Sequence, residues 1–453
     1  MSTSAVINFV HEIRYEDLPE EVTHQAKRCL LDLVGVAAAG SQTKLAAIAR
    51  DHAVTQYAAG DTGARLLFDG RHVSTVGAAL AGAATIDSFD AHDGHVLTKG
   101  HIGAAVLPAL LAYVDSAATG TSGREFLTAL VVGYEIGTRA GIALHRTSAE
   151  YHTSGAWNAL ACAAIGARLL RLGTEETLHA LGIAEYHGPR SPMMREIDHP
   201  TMVKDGSMWG AAAGVSAAFL AKAGFTGAPA ETVTGARLED IWSTIGTRWT
   251  ILEQYLKPQA ICRWAQPAVQ AVLDLIDLNG VECDDVEHIE VDTFEAATRL
   301  ATRSPETTEQ AQYSLPYPVA TAMVHGRITS QQLIFPMDRT PSVTRLSESM
   351  VVREDENLTK RFPAERLASV SLHLYNGKKV TSKLTEARGG PGTPLTDDEV
   401  RSKFKSLSQS RMDDNTSSRT IQIVDQLGID SNVDELLDII MASPTLLPVP
   451  QEA

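Results

Sequence analysis

The stretch DSFDAHDGHVLTKGHIGAAVLPA, residues 87–109, crowds aspartates, histidines and a lysine ahead of an apolar run of small residues. Asp90, His92, Asp93 and His95 are close enough in the chain to ligate a metal, and imidazole with carboxylate suits zinc, iron or manganese. Their spacing matches no specific zinc signature. A solvated loop that caps a helix is the bland alternative. An acid/base site at a helix start is the third. His101 favours the third, because it precedes Gly103-Ala104-Ala105, where free backbone N–H groups and the helix dipole can hold an anion.

Four more segments place titratable groups at the edge of an apolar run. His152 lies in EYHTSGAWNAL (150–160), and Lys204 in HPTMVKDGSMWGAAAG (199–214). Lys257, Cys262 and Arg263 lie in YLKPQAICRWAQPAVQ (255–270), and Tyr313 and Tyr317 in QYSLPYPVATAMVHG (312–326). Each has a plain reading: a helix cap, a surface loop, a small buried thiol, a packed phenol. A lysine entering a small-residue helix is unusual unless it pairs or works, and arginine forks suit carboxylates. No GxGxxG, Walker loop, GxSxG or HExxH occurs, so nucleotide, serine-hydrolase and zinc-protease chemistry lose their main support.

The elements that must carry these residues are mostly helices. Val22, Ala26, Cys29, Leu30, Leu33, Val34 and Ala37 recur at three- and four-residue steps, and Gly40 follows as a stop. Small-residue helices are also expected at 76–87, 104–118, 124–145, 154–172, 176–187 and 207–224. After about residue 270 the period changes. Ile289, Val291 and Thr293 alternate, as do Val370, Leu372 and Leu374 before Asn376-Gly377 and Val380, Ser382 and Leu384 after it, a hairpin signal. Thr396 and Glu399 make a capping box that reopens helix. The expectation is a mainly α chain of two domains. A large all-helical domain spans 1–268 and is completed by about 400–453; a smaller α/β domain spans 271–400.

The bulk figures narrow the function. The chain has 453 residues and a formal net charge of −16 with no long basic run, which argues against nucleic acid. Four cysteines without CxxC spacing fit reduced, cytoplasmic usage. The N-terminus has no basic region followed by an apolar core, so no signal peptide is expected. No window approaches an uninterrupted membrane-spanning run, so no membrane partner is expected.

Seven of these stretches, taken in order, resemble the MmgE/PrpD family along nearly the whole chain: LPEEVTHQAKRCLLDLVGVAAAG, GHIGAAVLPA, YHTSGAWNALACAAIGARLLRLG, MVKDGSMWGAAAG, LKPQAICRWAQPA, AQYSLPYPVA and GGPGTPLTDDEVRSKF. The family includes 2-methylcitrate dehydratases, cis-aconitate decarboxylases and iminodisuccinate epimerases. The resemblance implies a helical domain, an α/β lid and a cleft between them. It implies a homodimer with no metal and no organic cofactor, a lyase (dehydratase or decarboxylase) acting on a small di- or tricarboxylate by moving a proton beside a carboxylate; the alternatives are an epimerase of a dicarboxylate such as iminodisuccinate and a non-catalytic carboxylate-binding protein. It places Asp90, His101, His152, Lys204, Lys257 and Tyr317 at catalytic positions. His95, Arg263 and Cys262 are expected to help bind substrate. One departure stands out: DAHDGH replaces the usual DxDDTH-like run, with His92 for an acid and Gly94 for Thr.

Overall fold

The computed structural model describes residues 2–60, 62–117, 120–334, 336, 339–429 and 432–443. Seven helices frame the first part: α1 (Glu20–Gly40), α2 (Thr75–Asp87), α3 (Gly103–Asp115), α4 (Gly123–Thr147), α5 (Gly155–Leu169), α6 (Thr174–His187) and α7 (Ser207–Lys222). Each matches an expected helix within a few residues at either end, the usual uncertainty of boundaries. The small residues have a direct purpose. α7 packs on α5, α2 and α6. A Cβ at Gly210 would fall 2.5 Å from the Gly155 carbonyl, so α5 and α7 cross almost backbone to backbone. That crossing sets the starts of both helices, which carry Ser154 and Asp205, side by side.

α4 is long and apolar enough to span a membrane by length and composition, although the sequence suggested no such window. It is a core helix: 94% of its apolar window is buried inside the protein. It also carries a buried ion pair, Glu135 with Arg139, whose guanidinium donates to the carbonyls of Ile241, Thr244 and Arg248. An arginine so fully satisfied ties residues 241–250 to α4.

Two short strands clip the histidine-rich loop to the lysine segment. β1 (Gly94–His95) pairs antiparallel with β2 (Gln254–Tyr255), which the sequence did not announce. This ribbon and a second pair at 64–65 and 72–73 are two-residue additions to a first part that is otherwise helical, as expected.

α8 (Gln266–Asn279) and α9 (Pro316–His325) pack on each other, and α8 covers the second part's sheet. That sheet contains β3 (Val286–Thr293), β4 (Val351–Glu354), β5 (Leu367–Leu374), β6 (Lys379–Thr381) and β7 (Thr385–Glu386). The order is β4-β3-β5-β6 with β7 on β5; only β3–β4 is parallel. Ile289 opposes Leu372 and Val291 opposes Val370, all buried, so one face is apolar as the alternation predicted. The hairpin turn holds three residues, Tyr375 to Gly377, with Gly377 at φ +83, a common alternative to the two-residue turn. The alternation past Thr381 is lost, and Leu384 is exposed.

The chain then returns to α1 through α10 (Asp397–Ser408), opened by the expected Thr396–Glu399 capping box, and ends with α11 (Asp414–Gln426) and α12 (Asp434–Ile440). Residues 430–431 and 444–453 of the expected return segment lie outside the described residues.

Candidate functional site

The loop between α2 and α3 buries its aspartates and histidines. Asp90, His92 and His101 are 7% exposed or less, as are Lys204, Asp205 and Lys257 from elsewhere in the chain. Lys257 Nζ lies 2.5 Å from Asp90 Oδ1 and 3.1 Å from the Asp90 carbonyl. Lys204 Nζ donates to Gln312 Oε1 at 3.0 Å and sits 4.5 Å over the Tyr313 ring. Gln312 also accepts from the Asp90 amide at 2.7 Å and donates to the Ser88 carbonyl, so it couples Lys204 to the loop. Burial alone would raise Asp90, but the ammoniums of Lys257 and Lys204 outweigh it and hold that carboxyl well below its usual range.

His101 is oriented from both sides. Its Nδ1 is 2.5 Å from the Asp93 carbonyl, which can only accept, so Nδ1 carries the hydrogen and Nε2 is the exchanging atom. Nε2 lies 3.3 Å from Asp205 Oδ2 and 3.8 Å from Asp90 Oδ1. Burial, with Lys257 and His92 nearby, lowers His101 to about 3. Burial raises Asp205, against the pull of His101. A base that is neutral at rest therefore faces a carboxyl with raised proton affinity. Asp205 is locked by the Ser154 amide on Oδ1 at 3.1 Å.

Beside Asp90, His101 and Asp205 lies a cavity of about 20 Å³, room for roughly one water molecule; Lys204 and Lys257 stand behind its wall and do not line it. Asp90, His101 and Asp205 reach it from the helical side, Cys262 and Arg263 from the segment before α8, and Arg366 from the sheet side. Arg263 is not a free fork: it donates to the carbonyls of Arg388 and Ala387 and stacks on Tyr255. Arg366 bonds the Val96 carbonyl but keeps a buried, unpartnered Nε. Lys99 also lines the cavity. It and Lys204 are two of only four non-glycine residues in the left-handed region among the described residues, at φ +52 and +48. Such backbone strain persists where surrounding structure over-determines it, often at functional sites.

Of the expected site residues, the structure brings together Asp90, His101, Lys204, Lys257, Cys262 and Arg263. Three others are turned elsewhere. His152 Nδ1 donates to the Glu150 carbonyl, and its ring neighbours His145. Tyr317 donates to the Gln332 carbonyl at 2.7 Å. His95 pairs with Glu253 at 3.2 Å and accepts from the Leu97 amide. None of the three lines the cavity. Asp205, Arg366 and Gln312 were not singled out from the sequence. Asp205 stands beside Lys204, so only the helix start on which both sit gives it meaning.

Gly94 now has a reason. A Cβ there would strike the Tyr255 phenol and lie 2.8 Å from the Gly100 carbonyl. Gly94→Thr is expected to cost about 1–3 kcal/mol in urea unfolding, the range for overpacking a tight site. Gly94→Thr with Tyr255→Ala should recover part of that loss. An unchanged midpoint in the single variant would mean that the two residues are not in contact.

Comparison with known proteins supplies the family. A model of the MmgE/PrpD N-terminal domain matches residues 5–241, and one of the MmgE/PrpD C-terminal domain matches residues 260–429. The chain is 24% identical to a cis-aconitate decarboxylase-like protein of Aspergillus oryzae, over 97% of each chain. It is 23% identical to a cis-aconitate decarboxylase of Aspergillus terreus, covering 98% of this chain and 97% of the relative. It is also 23% identical to a cis-aconitate decarboxylase of Mus musculus, covering 94% and 90%.

Proposed function

Because the chain belongs to the MmgE/PrpD family, we propose that it is a lyase that decarboxylates a small unsaturated tricarboxylate of the cis-aconitate type. It would do so without metal or organic cofactor. The observation that carries this reading is the buried grouping of His101 and Asp205 beside Lys257–Asp90 at a nearly closed cavity. The names of the relatives support the substrate class.

Arg366 and Lys99 of the lining receive substrate carboxylates, and Lys257 joins them from behind Asp90 when the lid is open, with Lys204 holding the loop through Gln312. Their charge stabilises the enediolate-like electron pair left when the bond to one carboxylate breaks and CO2 departs. The carbon that inherits the pair takes one proton from His101 Nε2. A bound polyanion raises the proton affinity of that imidazole, which draws the proton from Asp205 across 3.3 Å. One proton is consumed for each CO2 released. The pocket favours this over epimerisation, which needs a second base. The remaining proton-bearing groups of the lining, Tyr151, Tyr255, Tyr313 and Cys262, are all raised by burial, Cys262 to about 12. They can donate protons but are poor acceptors.

A cavity of about 20 Å³ cannot admit a tricarboxylate. The reading therefore makes the sheet-bearing part, about 271–400, a lid that opens from the helical part. It also makes the working enzyme a cytoplasmic homodimer.

The test is proton NMR in heavy water with chelator-treated protein and cis-aconitate, 2-methylcitrate or citrate. A decarboxylated product bearing deuterium at one carbon is expected from cis-aconitate. Water loss from 2-methylcitrate alone would replace decarboxylation by dehydration. Silence on all three would overturn the proposed substrate class.

A further inference from the structure

His92 is the residue that the proposed reaction leaves unused. Its side chain is completely buried, and neither ring nitrogen has a hydrogen-bond partner. Nε2 lies 3.5 Å from Asp87 Oδ1, itself unpartnered, and 3.7 Å from Asp90 Oδ1. The ring meets His101 edge-on with centroids 4.2 Å apart. Including the His101 contacts with Asp205 and Asp90, four nitrogen–oxygen separations run from 3.3 to 3.8 Å. Three of them, at 3.5 Å or more, are too long for good hydrogen bonds. All four approach the spacing of ligand atoms around a four-coordinate ion with bonds of about 2.0–2.1 Å, which is about 3.3–3.4 Å. Asp90, His92 and His101 offer three ligand atoms mutually within 4.8 Å.

We propose that Asp90, His92 and His101, flanked by Asp87 and Asp205, bind one divalent transition metal ion of the zinc class, and that the bound ion switches the reaction off. Two imidazoles with carboxylates are the donor set such ions prefer. His101 is already set up as a ligand, because its Nδ1–H is held by a backbone carbonyl and its Nε2 faces the cluster. Asp87 and Asp90 balance the ammoniums of Lys204 and Lys257, and Asp205 gives up its proton when the ion binds, so the cluster accommodates added positive charge. The ion must share or take Asp90 Oδ1 from Lys257, and Asp87 and Asp205 compensate for that loss. The inhibitory consequence rests on the proposed reaction, since the metal occupies the Nε2 lone pair that carries the proton. The binding itself does not.

The half-buried group His288, Glu290 and His373 on the sheet is the competing location. Its two rings stack nearly parallel, at 13°, so their lone pairs do not converge, and Glu290 is already held by Arg353 and Lys379.

The experiment is a Co2+ titration of chelator-treated protein, read by visible ligand-field absorption, followed by Zn2+ displacement. One ion per chain with the spectrum of a four- or five-coordinate nitrogen/oxygen site is expected. His92→Asn and Asp87→Asn should each weaken binding at least tenfold, and His373→Ala should leave it intact. No uptake by the wild type, or full uptake by folded His92→Asn protein, overturns the site. Loss of uptake in His373→Ala moves the ion to the sheet and also overturns it. Protein freed of excess Zn2+ should lose turnover, and a chelator should restore it; full turnover with one ion bound overturns the switch. If no carboxylate is ever turned over, the proposed reaction fails while the titration still decides the site.

Discussion

His101→Asn is expected to lower kcat by about two to four orders of magnitude, the range for losing a positioned proton carrier, while KM changes little. The reason is geometric. With Nδ1 committed to the Asp93 carbonyl, only Nε2 can exchange protons, and it faces Asp205 and the cavity. Asp205→Asn should fall in the same range, and the double variant should be no slower than the worse single one, because the two act as one unit. Retention of near-full turnover by His101→Asn would remove the imidazole from the mechanism. The same variant carries a pH signature in stability. Folding holds His101 neutral down to about 3, whereas the unfolded ring titrates near 6.5. Between those values the unfolded chain binds a proton that the folded protein does not, so the wild type loses stability as pH falls from 6.5 toward 3. Asparagine has no such proton. The stability of His101→Asn relative to wild type should therefore rise on acidification, by at most about 1.4 kcal/mol per pH unit. A relative stability that is flat across this window would mean that His101 is not held neutral by the fold.

Local pattern foretold the helices better than the site. Val22, Ala26, Cys29 and Leu30 show a buried stripe because a helix that packs on one side must repeat every three to four residues, a rule that needs no knowledge of the partner; from Cys29 to Gly40 the helix is buried all round. The same holds for Ile289 and Val291 opposite Val370 and Leu372. Site membership obeys no such rule. His152 and His101 both precede small-residue helices, yet one ring turns to the Glu150 carbonyl and the other to the cavity. Nothing in their spacing separates them. Asp32 and Lys403 illustrate the limit further. Lys403 on α10 pairs with buried Asp32 on α1 at 2.6 Å and donates to the Ala91 carbonyl at 2.7 Å, bracing the loop that carries Asp90 and His92. They lie far apart in sequence, and each alone reads as an ordinary helical charge. The lysines were legible because a cation among small apolar residues needs a partner, whatever the fold.

Lys257→Met is expected to be the most damaging single change to stability near the site. It removes an ammonium from a pair in which Lys257 is fully buried and Asp90 nearly so. Breaking a buried pair leaves one charge uncompensated and typically costs about 3–5 kcal/mol. Lys204 softens the loss, since it also acts on Asp90, but its own hydrogen bond goes to Gln312. Asp90 must then either stay charged without its nearest cation or take up a proton, so the carboxyl should climb from its depressed range and the variant should be relatively less unstable in acid. Asp90→Asn added to Lys257→Met removes the stranded charge. Replacing a buried ion pair by neutral groups is often close to neutral for folding, so the double variant should regain most of the stability in urea titrations. It should not regain turnover, because the cation that holds a substrate carboxylate is gone. Recovery of stability with no recovery of kcat separates the two duties of Lys257. Recovery of both would confine it to structure, and recovery of neither would mean that the amide introduced by Asp90→Asn is as poorly accommodated as the lone carboxylate.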